Sequence, residues 1–155
     1  MAHTIFEPAG ISSITLKNRI IRSATHEGMA DEKGCPTKEL ENIYVQLAKG
    51  EVGAIITGNA AIRQDGKSPL PGMLMIDSDE CIDAYTEVVD TVHNLGTPII
   101  LQIVHCGRQT RSKITGKRTV APSAIKDKFY REDIPEELSD QEIHEIINNF
   151  VKAIV

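Results

Sequence analysis

The sequence predicts an α/β fold built on a parallel sheet, and three observations carry that prediction. Short β-branched runs alternate with stretches of helical periodicity, the rhythm of strand–helix–strand units and hence of parallel strands. The runs VGAIITG and PIILQIV are nearly continuous in apolar residues, as in strands buried on both faces. The stretch SATHEGMADEKGCPT, between the first strand and the first helix, has glycines but no G-x-G-x-x-G and no lysine–serine pair. A doubly wound nucleotide domain would carry such a phosphate loop there, so a barrel of βα units is favoured. A complete TIM (β/α)8 barrel needs eight strands and about 250 residues. These 155 residues supply three. The expectation is an incomplete barrel, the N-terminal portion only, with residues 1–155 forming one partial domain of about three βα units.

The elements follow in order. TIFEP and ITLKN, separated by Ala9, Gly10 and two serines, read as a short β-hairpin preceding the barrel. RIIRSAT is the first barrel strand. From Thr37, apolar residues recur at Leu40, Ile43, Tyr44 and Leu47, one face of a helix, with Thr37 as N-cap and Gly50 as the stop. VGAIITG is the second strand. A Gly/Pro-rich loop, Gln64 to Gly72, leads to a helix capped by Ser78. Its inward face is Ile82, Tyr85, Val88, Val89, Val92 and Leu95, and Gly96 ends it. PIILQIV is the third strand, and Arg108 to Arg118 reads as a mobile basic loop. LSDQEIHEIINNFVKAIV is the clearest helix, opened by a Ser139–Glu142 capping box. Its periodic face runs to the end of the sequence without a closing glycine or asparagine.

Composition narrows the function classes. A net charge of -5 argues against a nucleic-acid partner, which needs a basic face. Cys35, Cys81 and Cys106 are odd in number and lack a Cys-x-x-Cys pair, which suits free thiols in a reducing cytosol. The start MAHTIFEPAG has no apolar signal core, and no run reaches membrane-spanning length, so a cytoplasmic protein without a membrane partner is expected. Histidines 3, 26, 93, 105 and 144 show no ligand spacing, so no metal is expected.

Active sites in βα barrels lie at the C-terminal ends of the strands. Here those ends are Ser23, Ala24, Thr25 and His26; then Thr57, Gly58 and Asn59; then Gln102 through Arg108. Small residues dominate the first two, as where a flat ligand approaches the backbone. Gln102 stands out as an amide within an apolar strand. Leaving such a group unpaired in a core costs about 1–3 kcal/mol. A ring with adjacent C=O and N–H groups, such as the pyrimidine edge of a flavin, would satisfy it, and so would neighbouring barrel side chains or water. His105 and Arg108 could hold an anionic ring edge or a substrate carbonyl, or close a loop salt bridge. His26 is either a titratable group at the mouth or a partly exposed histidine. Cys106 has no acylation motif around it.

LKNRIIRSAT, GAIITG, LQIVHCGRQ, APSAI and LSDQEIHEIINNFVKAI occur in this order at compatible spacings. Together they resemble the N-terminal half of the old yellow enzyme family, most of all its NADH:flavin oxidoreductase and 2,4-dienoyl-CoA reductase branch. The resemblance implies a TIM barrel that binds FMN at its mouth, takes hydride from NADH or NADPH, and passes it to an activated C=C bond of a small-molecule substrate. It implies that Ala24, Thr25 and His26 touch the flavin ring, that Asn59 faces it, and that Gln102 reads its polar edge. His105 and Arg108 match the family's H-x-G-R signature, with Arg108 supporting the mouth. Some members carry cysteine at the position of His26 and tyrosine at Gly28. This chain departs from them toward the dienoyl-CoA-like branch. Asn59 is bulkier than the family's usual glycine or alanine, so a contact through its backbone is expected. The substrate-anchoring pair, the tyrosine proton donor and the phosphate loops of the family correspond to positions beyond Val155.

Two other readings compete. The 155 residues could be a catalytically inert piece that self-associates as a homo-oligomer or pairs with a C-terminal half of the barrel, because three strands leave an open edge. A non-flavin barrel lyase or isomerase would need a lysine or carboxylate at a strand end. Lys17 precedes its strand, which leaves Glu27 as the near candidate.

Overall fold

The computed structural model describes residues 4–154; His3 and Val155, named above, lie outside them. The hairpin exists, shifted from where it was expected. β1 (Ala9–Ile11) pairs antiparallel with β2 (Ile14–Leu16), Ala9 opposite Leu16. TIFEP is not its first arm. Thr4 to Glu7 close on themselves instead, Glu7 N–H donating to Thr4 O at 3.2 Å, and Pro8 offers the ladder no N–H. The turn is Ser12–Ser13, with Ser12 at φ 52°, the positive φ that tight two-residue hairpin loops require.

The barrel portion begins with β3 (Ile21–Arg22) and α1 (Lys38–Lys49), followed by β4 (Ala54–Ala61), β5 (Leu74–Met75), α2 (Ile82–Asn94) and β6 (Ile99–Val104). β4 is central, bonded in parallel to β3 at its start, to β5 at its end and to β6 along its length. Beyond it come α3 (Ser112–Thr115), the short parallel pair β7 (Val120–Ala121) and β8 (Glu136–Glu137), and α4 (Asp140–Lys152). Residues 108 to 118, expected as a mobile loop, contain α3 and are tied down, Thr110 Oγ1 donating to Lys67 O at 2.5 Å.

Helix ends follow the caps read from sequence. Thr37 Oγ1 accepts from Leu40 N–H, and Gly50 N–H closes α1 on Gln46 O. Ser139 and Glu142 form the full capping box of α4. Ser78 is different. It precedes a single tight turn, Asp79–Cys81, makes no side-chain cap, and α2 starts only at Ile82.

Leu40, Tyr44 and Ala48 of α1 and Val88 and Val92 of α2 pack on Ile55, Ala60 and Leu74, forming the main core between sheet and helices. Ile82 and Leu95, expected on the inward face of α2, are exposed. The opposite face of the sheet, the barrel's inner side, carries Ile56 and Asn59 of β4 beside Ile100 and Gln102 of β6. The expectation that β6 is buried on both faces fails on this side. Ile100 is 43% exposed and Gln102 is exposed, because among the described residues no second layer covers the inner face.

The cysteines require a correction. Cys35 and Cys81 form a disulfide, leaving Cys106 as the free thiol. The fold juxtaposes them: Met75 N–H donates to Gly34 O at 2.9 Å, and Gly34 packs so tightly on Met75 that a Cβ there would overlap its side chain. Residues 46 apart in sequence are thereby neighbours, which the spacing alone did not reveal.

Candidate active site at the strand ends

Three strand ends converge on the inner mouth. After β3, Ala24 is half-buried and Thr25 exposed, with Thr25 Oγ1 donating to Ser23 O at 3.3 Å. His26 Nε2 lies 3.0 Å from Pro71 O. A carbonyl only accepts, so Nε2 carries the hydrogen and the ring is oriented by the β4–β5 loop. That loop is pressed close: Gly72, at φ 65°, has no space for a Cβ against Gly28 O.

Asn59 and Gln102 are register partners on adjacent strands. Asn59 Oδ1 is buried without a hydrogen-bond partner. Gln102 was expected as a buried amide. It is exposed on the inner face, and its backbone N–H donates to Thr57 Oγ1 at 3.2 Å. Gln102 is thus exposed on the open inner face, and Asn59 stands beside it in the register with its Oδ1 buried.

His105 and Arg108 do not face that space with free charge. His105 Nδ1 accepts from Gly107 N–H at 3.1 Å, and Nε2 lies 3.4 Å from Asp65 Oδ1. Arg63 holds the same carboxylate as a fork, with both N–O distances 2.9 Å. Burial pushes the Asp65 carboxyl up, but the adjacent His105 ring and the Arg63 guanidinium outweigh it and hold the group at about 2. Arg108 donates to Ile125 O at 3.0 Å and lies 3.4 Å from Asp127, anchoring the segment after β6. Asp127 is held below the usual carboxylate range by the backbone N–H groups of Tyr130 and Phe129, with Arg108 adding to them. Burial pushes the Cys106 thiol up, away from the thiolate a nucleophile needs.

Sequence reasoning missed a second charged pair. Arg22 and Glu27 meet at 2.7 Å, both largely buried beneath the first two strand ends. The signal was present as an arginine inside the apolar run RIIRSAT. Glu27, the near candidate for a lyase carboxylate, is consumed by this pair. Among the described residues no group of three His, Cys, Asp or Glu side chains is placed to hold a metal ion, and no helix is long and apolar enough to cross a membrane.

These features define the opening βα units of a TIM barrel with a carboxamide-lined mouth. The family follows from comparison with known proteins. Residues 4–154 match the NADH:flavin oxidoreductase / NADH oxidase family, and the chain belongs to it. It is 35% identical over 152 residues to an NADH oxidase of Thermoanaerobacter brockii, covering 97% of this chain and 23% of that protein. It is 33% identical to an NADPH dehydrogenase of Bacillus subtilis, covering 99% of this chain and 44% of that one. Among solved structures, the old yellow enzyme homologue from Zymomonas mobilis superposes with a TM-score of 0.89 at 29% identity, over 97% of this chain and 44% of the other. The chain therefore spans less than half the length of these relatives, and its fold is the N-terminal portion of their barrel.

Proposed function

We propose that this chain supplies the flavin-ring side of an FMN-dependent oxidoreductase that moves hydride from NADH or NADPH to an activated C=C bond of a small-molecule acceptor. The observation that carries the reading is the pair Asn59 and Gln102, register partners on the inner face, one with an unpaired buried Oδ1. The residues present fit the group. A flavin's pyrimidine edge alternates C=O and N–H, and two carboxamides side by side offer the complementary set. Bound there, FMN would supply the two-electron chemistry, accepting hydride and passing it on.

The chain's own part is to bind and orient. Gln102 and Asn59 would read the polar edge, and Ala24 and Thr25 would let the ring lie close to the backbone. His26 is held through Pro71. Arg108 would steady the rim through Asp127 and Ile125. The names of the relatives divide between NADH and NADPH, and the donor is open between them.

The test is titration of the protein with FMN, read by flavin fluorescence and absorbance, against Gln102→Leu. Losing one edge-reading amide should weaken binding by roughly 5- to 150-fold, the equivalent of 1–3 kcal/mol. Unchanged retention of FMN by the leucine variant sinks the assignment of Gln102.

A second reading is favoured by a separate observation. β6 has one unpaired edge among the described residues, and Ile143, Ile147, Val151 and Ile154 of the α4 region are exposed. This surface supports pairing with the remaining part of a barrel or with a second copy. In that case the chain alone would be catalytically inert, and sedimentation as a compact monomer would count against it.

A further inference from the structure

We propose that Arg22, Glu27 and Tyr44 form a positioning clasp that holds a bulge in β4 and thereby puts the Asn59 carboxamide on the inner face. Its affinity readout rests on the flavin reading above; its structural readout does not.

The bulge is visible in the register. Ile56 pairs with Ile100 and Asn59 with Gln102, three steps along β4 against two along β6. Its effect on the faces is large, because strand side chains alternate and one extra residue reverses the phase. Ile55 and Ala60 both pack in the helix-side core, although residues five apart in a regular strand point opposite ways. Were the same residues to run as a regular strand, without the bulge, Ala60 would face the mouth and Asn59 the helices.

A bulge leaves backbone groups without ladder partners, and buried groups of that kind must be satisfied elsewhere. Here side chains do it. Arg22 Nη1 donates to Ile56 O at 3.1 Å. Gly58 N–H donates to Tyr44 Oη at 3.4 Å, and Thr57 Oγ1 donates to Gly58 O at 2.7 Å. Glu27 completes the set by pairing with Arg22 at 2.7 Å, with side-chain exposures of 5% and 16%. It lies so close to Gly58 that a Cβ there would overlap Glu27 Oε2 and stand 2.7 Å from Thr25 O. The clasp therefore ties the strand end bearing Ala24–His26 to the one bearing Asn59. A buried ion pair is commonly matched in stability by apolar residues of the same volume, and orientation is the role this geometry supports.

The experiment compares Glu27→Ala, Glu27→Gln and Tyr44→Phe in the protein and in an Asn59→Ala background. It reads FMN affinity by fluorescence and the Asn59 side-chain NH2 resonances by NMR. Glu27→Ala should weaken FMN about tenfold and Tyr44→Phe about threefold. Both losses should shrink below twofold when Asn59 is already alanine, the signature of action through that residue. Glu27→Gln still accepts from Arg22 and should stay within about threefold of the parent. The Asn59 resonances should move in Glu27→Ala. Unmoved resonances in folded variants, or losses undiminished in the Asn59→Ala background, overturn the proposal. Should Glu27→Ala not fold, Tyr44→Phe carries the same two readouts without stranding a charge. If the parent itself binds no FMN, the functional reading fails, and the resonances alone decide the clasp.

Discussion

Asp65 offers the best quantitative test of the loop packing behind the mouth. Its carboxylate sits between Arg63 and His105, with a side chain 12% exposed, and is held at about 2 against an ordinary 3.8. That lowering corresponds to about 2 kcal/mol of folding stability. The sign is that of a depressed carboxyl: the stabilisation is fully present above the unfolded value of 3.8 and is lost as pH falls through about 2. Asp65→Asn should therefore cost about 2 kcal/mol at neutral pH. The difference between variant and parent should shrink below about 1 kcal/mol by pH 2 or so, where the native carboxyl also protonates. Urea denaturation of both proteins across that range measures it. A difference that stays constant from neutral pH down to about 2 would refute the view that this ionised carboxylate, and not mere shape, stabilises the joint.

Three further outcomes follow from the fold. Reducing the Cys35–Cys81 disulfide, or replacing both residues with serine, should lower stability by about 4 kcal/mol for a 46-residue separation, as read by denaturation with and without dithiothreitol. Gly72→Ala places a Cβ against Gly28 O at a positive φ and should cost more than about 2 kcal/mol, lowering Tm by about 5 °C or more. Ser139→Ala removes the acceptor for Glu142 N–H and should cost about 1 kcal/mol, visible as lost helicity at the start of α4 in hydrogen exchange.

What was legible in the sequence was periodicity and capping. Thr37, Gly50, Ser139 and Glu142 mark helix ends through local hydrogen bonds, and local rules find them. The strand order and the run of motifs were equally readable. What escaped depended on partners distant in the chain. TIFEP looks like a strand by composition, yet Pro8 and a closed turn deny it a ladder. Cys35 and Cys81 look unpaired until Gly34 docks on Met75. Gln102 was read as buried because its neighbours are apolar, whereas its exposure depends on what stands across the inner face. At the site, the amide of Gln102 was found by being out of place in a strand. Arg22 was equally out of place in RIIRSAT and went unread, because its partner Glu27 lies beyond the strand's end.

The additional residue in β4 makes the inner wall a matter of counting. Deleting one position between Ile56 and Asn59 would even the steps at two on each strand and keep the carboxamide opposite Gln102, whereas straightening the strand with every residue kept would hand it to the helical layer and offer a methyl group to the cavity. How this stretch is paired, more than a change of letter, is how descendants of this chain would gain or lose a polar lining. Comparison of related barrels at this point should therefore align strand register before it aligns residues.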